Sequence, residues 1–116
     1  MLDDASGAKP VPVTPTLYEQ LDRDFKDFAG HRLVSYYVLQ EDWPTWEIHP
    51  AGEELVCLLS GSVTLVLEED GGERRVTLDQ AGSYVLIPRG TWHTAKTSGC
   101  TMLFITPGQG TENRPL

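Results

Sequence analysis

The 116-residue sequence predicts an all-β domain, a sandwich or barrel, with one short helix near its N-terminal end. Three observations carry this reading. After Gly30 the chain runs through eight short segments rich in Val, Ile, Leu, Thr and aromatic residues, each bounded by Gly, Pro or Asp. No repeat of propeller or solenoid length organises them, so they close into a single small structure. Hydrophobic residues make up 40% of the chain and charged residues 22%, a globular composition, and a chain of this length holds one core.

In chain order, residues 1–15 (MLDDASGAKPVPVTP) lack periodicity and are rich in Pro, Gly, Ala and Asp, which predicts an extended arm ahead of a single domain over 16–116. Thr16 and Glu19 form a T-x-x-E capping box. Leu17, Leu21, Phe25 and Phe28 recur at helical spacing, so a helix is expected from Leu17 to Phe28, with Gly30 ending it. The strand segments follow as RLVSYYVLQ, TWEIHP, ELVCLLSG, SVTLVLEED, ERRVTLDQ, SYVLIP, TWHTAKT and CTMLFIT. Glu69-Asp70-Gly71-Gly72 is the clearest hairpin turn, joining the strand at 62–68 to that at 73–78, because glycine supplies the positive φ such turns use.

Charge excludes one class of partner. Nine Lys and Arg against seventeen Asp and Glu give a net charge of −8, with no basic cluster beyond Arg74-Arg75, so nucleic-acid binding is not expected. No apolar run approaches the roughly eighteen residues of a membrane span, and the acidic start has no basic-then-apolar order. A soluble, cytoplasmic protein without membrane contact is the expectation. Cys57 and Cys100 each sit inside an apolar strand segment and read as buried thiols rather than as a metal motif.

Strand alternation sorts the residues that can do chemistry. In TWEIHP, Glu47 and His49 share one face and Trp46 and Ile48 the other. In EELVCLLSG, Glu54, Val56 and Leu58 share a face, and a carboxylate among apolar side chains demands a charged partner or a metal. Thr91 and His93 share a face of the TWH segment, with Trp92 opposite. His31, beside the helix end, and Glu53, at a strand entry, read as solvated, and the three tryptophans as packing residues. Trp46 and Trp92 point away from the pocket, toward the helix or a second subunit.

On these residues the sequence resembles the cupin superfamily, the small double-stranded β-helix or jelly-roll barrels. The first cupin motif, G-x5-H-x-H-x3-4-E-x6-G, is met by Glu47-x-His49-x4-Glu54-x6-Gly61; the second, G-x5-P-x-G-x2-H-x3-N, by Gly82-x5-Pro88-x-Gly90-x2-His93. The departures are Glu41 at the leading glycine, Glu47 at the first histidine and Thr97 at the final asparagine. The resemblance implies a metal site of His49, Glu54 and His93, with Glu47 as substitute fourth ligand. Glu53 takes the place of Glu54 if the shorter spacing applies.

Two imidazoles with one or two carboxylates suit a divalent ion such as Fe, Mn, Zn or Ni. A buried carboxylate also suits a general base, which gives Glu47 a second candidate role. The same residues equally make a metal-free polar pocket with histidine–glutamate hydrogen bonds. The pocket wall is assigned to Met102, Phe104, Tyr84 and Thr91, and its apolar character points to a small organic acid or partly aromatic ligand. Two functions follow as expectations. One is a metal-binding cupin acting on a small molecule as a dioxygenase, isomerase or lyase; the other is a non-catalytic binding or sensing module with a vestigial metal site. The resemblance further implies a homodimer.

Overall fold

The structure, a computed structural model, describes residues 1–116. Alternating apolar strands each leave one face to be covered, and here two bent strands supply that cover by passing from one layer to the other. The strands are β1 (Leu2–Asp3), β2 (His31–Leu39), β3 (Thr45–Ile48), β4 (Glu54–Glu69), β5 (Gly72–Leu78), β6 (Tyr84–Ile87), β7 (His93–Thr106) and β8 (Glu112–Pro115), all paired antiparallel. One layer runs β2, the second half of β7, the first half of β4, then β6. The other runs β8, β3, the first half of β7, the second half of β4, then β5.

The eight strands are therefore not the eight segments of the sequence. ELVCLLSG and SVTLVLEED are one strand, β4, and TWHTAKT and CTMLFIT are one strand, β7. The glycines between them bend the chain without ending the ladder. Gly61 has φ +78 and opposes Cys100, while Ser62 opposes Gly99, with register shifts between Leu58 and Ser60 and between Ser62 and Thr64. Inward parity changes across that bend. Glu54, Val56 and Leu58 are buried before it and Val63, Leu65 and Leu67 after it. The expected hairpin is present, with Glu69 opposite Gly72 and Gly71 at φ +78.

The helix α1 (Leu17–Asp24) is shorter than its apolar spacing predicts. Lys26, Asp27 and Phe28 take φ of 53, 54 and 66, a left-handed turn that no glycine relieves. Burial of Phe28 against Met1, Leu21 and Phe25 holds it there. Thr16 makes no side-chain cap; its carbonyl accepts from the Gln20 N–H instead. The arm lies along the domain through β1, which pairs with β2, and the terminal ammonium donates to the Lys9 carbonyl at 2.7 Å. No helix is long and apolar enough to cross a membrane.

The main core lies between the layers and includes Val56, Leu58, Leu65, Leu67, Ile87, Met102 and Phe104. Cys57 and Cys100 are both free thiols; Cys100 is buried and Cys57 half-buried. Trp46 and Trp92 lie outside the lining of the cavity, as alternation predicts. They flank the Arg114 guanidinium of β8, at 5.3 and 4.5 Å from their ring centroids, which holds that edge strand in place.

Candidate metal centre

Three neighbouring strand ends bring four side chains to one point. Glu47 on β3 stands opposite His93 on β7, His49 follows one residue beyond β3, and Glu54 opens β4. One ligand atom from each of Glu47, His49, Glu54 and His93 lies within 4.8 Å of the others. His49, Glu54 and His93 are 3%, 2% and 0% exposed, and Glu47 is half-buried.

The outer hydrogen bonds fix the ring tautomers. The Thr111 hydroxyl donates to the Gly108 carbonyl at 2.9 Å, so it accepts from His49 Nδ1–H at 2.8 Å. The Thr91 carbonyl can only accept, so it takes His93 Nδ1–H at 3.0 Å. Both Nε2 atoms therefore face the centre. Thr106 Oγ1 donates to Glu54 Oε2 at 2.6 Å and orients that carboxylate. His49, His93 and Glu54 thus each have an outer partner, the arrangement that positions metal ligands.

Inside the centre the groups approach without bonding well. His49 Nε2 stands 2.9 Å from Glu47 Oε1 and 3.2 Å from Glu54 Oε2, and His93 Nε2 stands 3.2 Å from Glu54 Oε1. None of these approaches is aligned as a hydrogen bond, so His49 Nε2, His93 Nε2 and Glu54 Oε1 are buried polar atoms without a hydrogen-bond partner. Such atoms are costly to leave unmet. Donors that converge on a common point rather than on one another fit a divalent cation between them.

Without a metal, protons take up part of that role. Burial by itself lowers the pKa of His49, but the carboxylates of Glu47 and Glu54 beside it outweigh burial and raise it from 6.5 to about 9. Burial raises the Glu54 carboxyl, and His49 and His93 outweigh it, bringing it from 4.5 to about 2. Burial and the neighbouring Tyr37 hydroxyl push the Tyr18 hydroxyl well above its ordinary value.

The centre opens into a cavity of about 570 Å³. Phe104 lies on its wall, as alternation predicts. Met102, Tyr84 and Thr91 do not. Met102 shares the inward face with Phe104 but lies wholly within the main core, and Tyr84, 60% exposed, points outward from β6. Thr91 precedes β7 and serves His93 through its backbone carbonyl. Glu53 is exposed at the entry to β4, leaving Glu54 as the buried glutamate. His31 is half-buried and donates its Nδ1–H to the Ala29 carbonyl at 2.7 Å.

Several wall residues carry no sequence signal of their role. Trp43 comes from the loop before β3, Tyr18, Asp22, Asp27 and Phe28 from α1 and the turn after it, and Thr111 and Asn113 from the last segment. Of these the sequence singles out only Phe28, by its helical spacing, and Trp43, as a packing residue.

Comparisons place the architecture. No family model matches the sequence, and no curated protein matches it. Solved structures do. A cupin-2 domain protein of Shewanella frigidimarina is 18% identical over 72% of this chain and 71% of that one, with a TM-score of 0.54. The sugar 3,4-ketoisomerase QdtA of Thermoanaerobacterium thermosaccharolyticum, in complex with TDP, is 22% identical over 63% of this chain and 56% of its own, with a TM-score of 0.55. Oxalate oxidase in complex with the substrate analogue glycolate is 15% identical over 70% of this chain and 45% of its own, with a TM-score of 0.60. The chain thus spans about half the length of the last two. The class of protein that these strands define is the all-β jelly-roll barrel. Its particular form here is the cupin fold, as the sequence motifs predict.

Proposed function

We propose that the protein is a metal-binding cupin that binds a small organic molecule in its barrel cavity. The observation that carries this is the convergence of buried, partnerless His49 Nε2, His93 Nε2 and Glu54 Oε1 beside the cavity that His49 and Glu54 line, each on a side chain locked from outside. Glu47 is the fourth ligand. A bound divalent ion, of the Fe, Mn, Zn or Ni kind, supplies a Lewis-acidic centre facing the cavity. Thr111 and Thr91 hold the imidazoles in their ligand tautomers, Thr106 holds Glu54, and Trp43 and Phe104 exclude water beside them.

Oxidase and isomerase structures of the same fold support an enzymatic reading, in which Glu47, the most accessible of the four, would hold the ion or accept a proton from a molecule in the cavity. The test is metal analysis of tag-free protein together with His49→Ala and His93→Ala. Near-stoichiometric metal in the wild type and loss in both variants is expected; a wild type that takes up none after reconstitution overturns the reading. Glu47→His, which restores the imidazole of the first cupin motif, is expected to load at least as well.

The reading includes a homodimer through the outer face of the β2–β7–β4–β6 layer. Register lines up Val34, Ile105, Leu55 and Leu86 in one row and Tyr36, Leu103, Cys57 and Tyr84 in the next, a contiguous apolar surface.

A further inference from the structure

The cavity above the centre is acidic and aromatic. Asp22, Asp27, Glu47 and Glu54 line it, and none of the chain's nine Lys and Arg residues does. Asp22 and Asp27 stand exposed at the end formed by α1 and the left-handed turn, and neither belongs to a salt bridge. Below them Tyr37 meets Phe104 edge-on at 5.9 Å between centroids, and Trp43 meets Phe104 at 5.8 Å. The deep end carries His49 and Glu54, nine-tenths or more buried and with polar atoms unmet.

Charge then selects the ligand. A divalent ion held by two carboxylates and two neutral imidazoles has no formal net charge, so Glu47 in place of a histidine removes the positive centre that would draw an anion. Asp22 and Asp27 leave the cavity negative with or without the metal. Aromatic faces favour a cation over an anion as well. The small organic acid expected from the apolar wall is the ligand this cavity disfavours.

We propose that the cavity takes a small aromatic amine, its ammonium between Asp22 and Asp27 at the mouth and its body against Tyr37, Trp43 and Phe104. This rests on the cavity being the ligand site, and it deepens that reading by naming the ligand class.

The test titrates the metal-reconstituted full chain with 2-phenylethylamine, 2-phenylethanol and 3-phenylpropanoate, three head groups on one body, by calorimetry, with metal content measured in the same samples. The amine is expected to bind about tenfold or more tighter than the carboxylate. In the exposed-site double variant Asp22→Asn/Asp27→Asn its affinity falls to that of the alcohol, while the alcohol's affinity and the metal content stay unchanged. Should that variant fail to fold, the order of the three probes on the wild type decides. A carboxylate that binds as tightly as the amine, an amine that does not bind at millimolar concentration, or a double variant that keeps the preference overturns the proposal. Loss of metal with the amine preference intact counts against the metal centre alone and supports this assignment. Retained metal with a preference for the carboxylate counts against this assignment alone.

Discussion

His49 is the residue on which most of the chemistry turns, because its two ring nitrogens do different work. Nδ1 is committed to Thr111 and Nε2 to the centre. In the metal-free protein its pKa is raised to about 9, so the stability it contributes is complete below its ordinary 6.5 and is lost as pH rises through 9. Glu54, lowered to about 2, contributes fully above its ordinary 4.5 and loses that contribution as pH falls through 2. Thermal denaturation of stripped protein should therefore show these two contributions together between 4.5 and 6.5 and a decline on the alkaline side. Metal loading should remove the alkaline decline, because the ion replaces the proton on Nε2. A flat alkaline limb in stripped protein would contradict the charged pairing. Thr111→Val removes the acceptor for Nδ1–H and should weaken metal binding about tenfold or more, whereas Thr111→Ser should keep it, as read by competition with a chromophoric chelator.

At the scale of elements, the bend in β4 and β7 decides which side chains face inward. An added Cβ at Gly61 would lie 2.2 Å from the Gly99 carbonyl oxygen and 2.9 Å from Cys100 Cα, backbone atoms that cannot give way. Gly71 has the same φ of +78 with nothing within 4 Å. Gly71→Ala should therefore cost about 1–2 kcal/mol, from the backbone conformation alone, and Gly61→Ala clearly more, by urea denaturation. Equal costs would mean that the close crossing is not rigid. This bend also marks what the sequence shows and what it hides. Alternation is local, so it groups Glu47 with His49 and Glu54 with Val56 and Leu58. It cannot tell a glycine that bends a strand from one that ends it, and four segments were divided that form two strands. Depth along a strand is equally invisible, which is why Met102 and Phe104 share a face and only Phe104 reaches the cavity. Thr111 and Asp27 arrive through long-range packing, with no periodic signal.

The whole molecule has two differently dressed surfaces, an acidic cavity mouth and an apolar outer sheet face. On the latter Tyr36 is 61% exposed, Tyr84 60% and Leu86 49%, more large apolar area than a lone domain of this size needs to show. Light scattering should give a dimer for the wild type and a monomer for Tyr36→Glu, with metal content unchanged because that face lies outside the barrel. A wild type monomeric at all concentrations would contradict the pairing.

Anomalous diffraction from crystals of tag-free protein grown with manganese or zinc decides whether Glu47, His49, Glu54 and His93 form one metal site. A single strong anomalous peak per chain is expected within about 2.0–2.3 Å of both Nε2 atoms and the Glu54 carboxylate, with Glu47 as the fourth contact. A clear map with no peak there, or with ordered water joining His49 to Glu54 in its place, would contradict it.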